Sequence, residues 1–211
     1  MAGRPREFDR DEALRAAQAA FWARGYEGTS MADLVAALGL ASSRIYAAFG
    51  SKEALFREAI ELYEANEGGF ADRALAEEPA ARAALQRILR DAVATYTRPG
   101  GPLGCMVVSS ATNCAPANDA IFAWLQQHRA ARTRSIIDRI MVAVRSGELP
   151  PGTDARALGD AFAVLLHGLS VQARDGTSRR RLTALIDPAM AMYDHARRQP
   201  PADTTAVGEP G

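Results

Sequence analysis

Lysine is almost missing from this chain: of 25 Lys and Arg residues among 211, only Lys52 is a lysine. Cysteine is nearly as rare, with Cys105 and Cys114 the whole complement, which excludes a disulfide framework as the source of stability. Histidine is confined to His128, His167 and His195, too scattered for the spacings of a metal site, and no nucleophile-elbow or phosphate-loop motif occurs. No enzymatic activity, metal or cofactor is therefore expected. No apolar run approaches the roughly 20 residues of a membrane-spanning helix. The polar start A-G-R-P-R-E-F-D-R-D predicts no signal peptide and hence a cytoplasmic protein. Net charge is absent too: the formal balance is zero, and residues 1–60 hold eight basic and eight acidic side chains, so any contact with nucleic acid must be local.

What is present favours helix. Apolar residues make up 48% of the chain, and abundant Ala, Leu and Arg with few β-branched runs predict an all-α fold. The length suits a small head and a larger body.

The most informative stretch runs from Gly25 to Lys52. Ser30 is positioned to cap a helix whose apolar positions Met31, Leu34, Val35 and Leu38 follow 3.6-residue spacing, and Asp33 completes a capping-box pattern. Gly39 ends that helix. A second helix is predicted over Ser42–Phe49, with Ile45 and Phe49 facing inward and Ser43, Arg44, Tyr46 and Ala47 outward. Two short helices joined by a glycine-bearing turn read as a helix-turn-helix that lays its second member in the DNA major groove. Lys52, directly after Ser51 as N-cap, opens the next helix, where free N–H groups and the dipole favour a phosphate.

Around this centre the chain divides into residues 1–8, a basic arm; 9–58, the helix-turn-helix head; 59–198, a helical body; and 199–211, a Pro- and Gly-bearing tail expected to be disordered. Asp9 and Glu12 cap the first helix, which ends at Gly25. A fourth helix runs from Ser51 to about Asn66, and a fifth starts at Pro79 and stops before Pro99. A sixth covers Leu103 to Thr112, a seventh reaches Arg145, an eighth starts at Asp154, and a ninth is capped by Ser178 and kinked by Pro188.

The pattern G-Y-x-G-T-S-M-x-x-L-V-x-x-L-G-L-x-S-S-R-I-Y-x-x-F-x-S-K-E-A-L-F resembles the N-terminal domain of the TetR family of transcriptional regulators, over about residues 8–58. The resemblance implies a homodimeric repressor of about nine helices, in which the last two pair with their symmetry mates and a small molecule entering the body releases the DNA. It further implies that Ser42, Ser43, Arg44 and Tyr46 line the groove-facing side of the recognition helix. Arg44 suits bidentate bonding to guanine, while Ser42, Ser43 and Tyr46 bond phosphates and Thr29, Ser30 and Lys52 fix the register. Arg4 and Arg6 either enter an adjacent minor groove or touch nothing. Many members carry His or Tyr where this chain has Ala48, which removes a contact. An interaction protein that retains the helix-turn-helix, using DNA as a scaffold or not binding it, is the alternative reading.

In the body, polar groups on apolar helix faces call for a ligand or a partner, which singles out Asn113, His167 and Gln172. His167 in V-L-L-H-G-L either bonds a partly hydrophobic effector or is satisfied within the core. Tyr96, Met106, Ser109, Phe122 and Trp124 are further candidates for a pocket lining. Leu158, Phe162, Leu165 and Leu169, together with Leu182, Leu185, Ile186, Met190 and Tyr193, form stripes that suit a four-helix interface across a two-fold axis. Nine residues of continuous helix span about 13.5 Å, beyond the ~7 Å a disulfide tolerates, so Cys105 and Cys114 are read as buried apolar thiols.

Overall fold

The computed structural model describes residues 8–110 and 118–199, and all regular structure among them is helical. The elements are α1 (Arg10–Arg24), α2 (Met31–Leu38), α3 (Ser42–Phe49), α4 (Lys52–Ala65), a 3-10 turn (Glu67–Gly69), α5 (Phe70–Glu77), α6 (Ala81–Tyr96), α7 (Met106–Ser110), α8 (Asp119–Arg145), α9 (Ala155–Arg174), α10 (Arg179–Thr183) and α11 (Ile186–Arg198). They fall into two compact units. Of the described residues, the first contains those up to Gly69 together with those within Thr95–Arg129, and the second contains Phe70–Ala94 and those from Ala130 onward.

The head helices begin and end where side-chain chemistry dictates. Asp9 accepts from the N–H groups of Asp11 and Glu12. The Ser30–Asp33 capping box is complete, with Ser30 N to Asp33 Oδ2 at 2.8 Å and Asp33 N to Ser30 Oγ at 3.1 Å. Such caps contribute about 1 kcal/mol each. Gly39 sits at φ 64° and ψ 24°, the left-handed region that a side chain enters only at a cost, and its N–H closes α2 on Val35 O.

In the first unit α1 packs on α4, α2 and α7 around one aromatic cluster. Phe56 meets Phe21 at 5.1 Å and Tyr26 at 5.0 Å between ring centroids, and Trp22 meets Tyr63 at 4.7 Å while its indole N–H donates to Gly104 O at 3.0 Å. Burying each such ring stabilises the fold by about 1.5–3 kcal/mol. This unit therefore extends beyond the expected 9–58 head, because the buried face of α4 continues to Tyr63 and Met106, Val107, Ile121 and Leu125 share its core.

The second unit is centred on α6, α9 and α11, with Leu85, Ile88, Leu89, Phe162, Leu166, Leu169, Met190 and Tyr193 buried. Three elements differ from expectation. A separate helix, α5, follows the glycine break at Gly68-Gly69. Pro79 stands just ahead of α6 rather than inside it; the first N–H groups of α6 are taken by a distant carboxylate, Glu148, which accepts from Ala81 at 2.8 Å and Arg82 at 2.9 Å. The expected ninth helix is two: α10 ends at Thr183, and Pro188 falls in the first turn of α11, where a missing N–H costs nothing, so the break lies ahead of the proline instead of a kink at it.

Six of the expected dimer residues, Phe162, Leu169, Leu182, Ile186, Met190 and Tyr193, are covered by their own chain. Amphipathic helices here spend their most apolar stripe on the protomer core. Of the others, Leu158 and Leu165 are half-buried and Leu185 is 47% exposed. The large apolar side chains that α9 and the α10–α11 stretch leave exposed are Val164, 69% exposed, Val171 and Leu185.

Candidate nucleic-acid interface

Helices α2 and α3 meet at 91°, the angle at which a helix-turn-helix presents its second member. Ile45 and Phe49 anchor α3 in the core, and Ser42, Ser43, Arg44 and Tyr46 are exposed on its other side. Ala48 is half-buried and packs against the core cluster. Ser30 caps α2 and Ser51 caps α4, but Ala41 at the N-cap of α3 offers no side-chain hydrogen bond. The dipole and first N–H groups of α3 are thus left for an external acceptor, which suits a phosphate. Beside this face a groove of about 480 Å³ runs past Arg44, Leu38, Leu40, Phe8 and Glu12.

The structure sorts the sequence-derived residues. Thr29 is fully buried, and its hydroxyl donates to Gly25 O at 2.7 Å, closing the end of α1; it is unavailable as a phosphate ligand. Ser30 is exposed, with its hydroxyl on Asp33 Oδ2 at 2.6 Å. Those bonds from the Ser30 side chain and backbone hold the Asp33 carboxyl below its ordinary value, with Arg24 adding to the effect. Arg4 and Arg6 lie outside the described residues.

Lys52 is partly buried, its ammonium 4.2 Å from the centre of the Tyr26 ring. Burial pulls its pKa down, while the nearby carboxylates of Glu27 and Asp33 push it back up. Arg10, absent from the sequence-derived set, grips the interface from behind: it donates to both carboxylate oxygens of Glu58 at 2.8 Å, and its guanidinium lies 4.5 Å over Phe49, the last residue of α3. Nothing in the sequence pairs positions 10 and 58; only the packing of α1 on α4 does.

The candidate pocket residues are divided between the two units. Tyr96 and Met106 are buried in the first unit, and Ser109 is half-buried. Trp124 lies under Arg57 at 4.6 Å and against His128 at 4.3 Å, and His128 Nδ1 meets Glu64 Oε2 at 2.8 Å. Phe122 is exposed. His167 and Gln172 belong to the second unit; His167 is half-buried, whereas Gln172 is exposed and accepts from Thr177 Oγ1, so it faces solvent rather than a pocket. Asn113 and Cys114 lie outside the described residues. Cys105 is half-buried rather than buried, beside Tyr63, whose phenol is pushed well above its ordinary pKa by burial first and by Cys105 and Tyr96 next. A cleft of about 340 Å³ in the first unit is lined by Arg15, Gln18, Trp22, Glu67 and Arg98 among others, none of them singled out from sequence. Among the described residues no cluster suits a metal ion, and no single helix is long and apolar enough to cross a membrane.

Comparison with known proteins points the same way as this geometry. Residues 13–59 match the model of bacterial regulatory proteins of the tetR family, and residues 79–187 match that of the tetracyclin repressor-like C-terminal domain. The chain is similar to the HTH-type transcriptional repressor ComR of Escherichia coli (strain K12), 31% identical over 199 residues that cover 90% of this chain and 91% of that one. It is also similar to the HTH-type transcriptional repressor BdcR of the same organism, 32% identical, covering 87% and 88% respectively. Among solved structures, a cysteine mutant of the TetR family transcriptional regulator CifR, complexed with 26-base-pair double-strand operator DNA, is 40% identical. It superposes with a TM-score of 0.85, covering 90% of this chain and 98% of that one.

Proposed function

Because the chain belongs to the tetR family of bacterial regulatory proteins and is a DNA-binding transcriptional repressor, we propose that it grips an inverted-repeat operator as a homodimer and is released by a small, partly hydrophobic molecule bound in its C-terminal part. The observation that supports the DNA face is the split of α3, where buried Ile45 and Phe49 fix the helix and exposed Ser42, Ser43, Arg44 and Tyr46 are held on its other side. Arg44 reads a base through its two-pronged guanidinium, worth about 1–3 kcal/mol of discrimination, and Ser42, Ser43, Tyr46 and Lys52 hold phosphates. Ser30 serves first as the cap of α2 and Arg10 as the brace of α3, with Arg4 and Arg6 as a minor-groove arm. A repressor working on the chromosome belongs in the cytoplasm.

The partner surface includes the exposed apolar side chains Val164 and Val171 of α9 and Leu185 ahead of α11, and a two-fold pair of heads calls for half-sites about one helical turn apart. The neutral head limits phosphate neutralisation per subunit, so affinity depends on dimer symmetry and a few strong contacts.

The test is binding to DNA upstream of the protein's own coding region across a salt series. Arg44→Ala is expected to relax sequence preference, and Lys52→Ala to weaken all sequences alike with a salt slope lower by about one. Weak wild-type binding that ignores sequence and vanishes with salt would sink the reading.

A further inference from the structure

One face of α1 lines the cleft of about 340 Å³ in the first unit, with Arg15, Gln18 and Trp22 spaced three and four residues apart. Arg98 and Pro102 join it from the segment between α6 and α7, Leu62 from α4 and Glu67 from the 3-10 turn. Its volume lies at the lower end of the range of about 300–1,000 Å³ typical of small-molecule sites. Charge in the cleft is unbalanced, because two guanidiniums stand against one carboxylate. That carboxylate is already engaged: Gln18, only 6% exposed, donates from Nε2 to Glu67 Oε2 at 3.0 Å, and Arg98 Nη1 lies 3.7 Å from Glu67 Oε1. A charge-assisted bond is about 2.7–2.9 Å long, so Arg98 keeps its donors for something closer. Its guanidinium is held in place, 5.6 Å from the centre of the Trp22 ring and so near Gly101 that a Cβ there would stand 3.0 Å from Nε. Arg15 is exposed and takes part in none of the ion pairs among the described residues. The Trp22 indole N–H is spent on Gly104 O, which leaves the ring to offer apolar surface.

We propose that this cleft binds a small carboxylic acid with an apolar body, its carboxylate shared by Arg15 and Arg98 and its body lying on Leu62, Pro102 and the edge of Trp22. A carboxylate suits the two guanidiniums because its paired oxygens match their forked N–H donors. A neutral ligand leaves the surplus positive charge unmet, and a dianion is repelled by Glu67. Every lining residue belongs to the first unit, the one that carries the recognition helix. The site therefore differs from any formed by the helices of the second unit, and the inference does not rest on the reading of the C-terminal part.

Calorimetric titration of the full-length protein with 2-naphthoate and with octanoate, one flat body and one extended, tests this. Saturable binding of at least one of them is expected. The neutral 2-naphthamide and inorganic phosphate, which lack the charge and the apolar body respectively, should bind about tenfold more weakly or less. Arg15→Gln and Arg98→Gln should each weaken the acid by about tenfold or more, the worth of one charge-assisted hydrogen bond. Glu67→Gln keeps an acceptor for Gln18 and removes the competing charge, so it should tighten binding. Gly101→Ala puts a methyl group against the Arg98 guanidinium, whose flexible end can shift, and should weaken binding with the thermal midpoint unchanged. Thermal midpoints of every variant show that it is folded, and Arg15→Gln, at an exposed position, decides the matter if Arg98→Gln is unstable. If neither acid binds saturably, or if binding is the same in wild type and Arg15→Gln, the proposal is overturned.

Discussion

Tyr193 donates its phenolic hydrogen to Glu148 Oε1 at 2.8 Å, tying α11 to the loop that follows α8. The same carboxylate caps α6 through Ala81 and Arg82, and Arg82 in turn holds Asp194 with bonds of 2.7 and 2.8 Å. Two distant helices of the second unit, α6 and α11, thus close on the loop that carries Glu148.

Replacing Glu148 should therefore cost more than a surface carboxylate. Glu148→Ala orphans two N–H groups and a phenol, and a loss of about 1–3 kcal/mol is expected by urea unfolding. Burial works to raise the Glu148 pKa, but the Arg82 and Ala81 N–H groups and the Tyr193 hydroxyl outweigh it and leave the value lowered. A carboxyl with a depressed folded pKa stabilises the protein above its unfolded pKa and loses that contribution as pH falls through the folded one. Stability should decline on acidification below the ordinary carboxylate range, and the decline should be shallower in Glu148→Gln.

Thr29→Val tests whether the threonine of the G-T-S run contacts DNA or the fold. Its buried hydroxyl satisfies Gly25 O, so the expected outcome is a loss of about 1–2 kcal/mol with the salt dependence of operator binding unchanged. A salt slope reduced by about one at unaltered stability would instead assign it to a phosphate.

Helices α8 and α9 come together at Gly159. A Cβ there would lie 2.5 Å from Ile137 Cγ1 and 3.0 Å from Ile137 Cα, and backbone cannot move aside as a side chain can. Gly159→Val should destabilise by at least the ~1–3 kcal/mol typical of overpacking, with a lowered thermal midpoint. An unchanged midpoint would mean that the two helices separate freely.

Val164→Glu and Leu185→Glu place charge on exposed apolar positions of α9 and the start of α11. Sedimentation should show both variants shifted toward monomer, with operator affinity lowered because two half-sites are no longer engaged together. A dimer that persists in both would move the interface elsewhere.

The head was legible because its signals are local. Ser30 with Asp33, Gly39, the Ile45–Phe49 spacing and Ser51 with Lys52 each act within one helical turn, and the chain obeys them. The same holds for Asp154 as the cap of α9 and Gly25 at the end of α1. Which apolar stripe meets which neighbour is a different matter. Phe162, Leu169 and Tyr193 carry the periodicity of a partner-facing stripe, yet their own chain covers them, since periodicity gives the width of a buried face and not the identity of what buries it. The cap of α6 by Glu148, the Arg10–Glu58 brace and the Asn118–Glu27 bond join positions 67, 48 and 91 residues apart. No local rule reaches that far; these pairs exist because packing of large buried faces brings short polar groups together, and that packing is decided only when the whole chain folds.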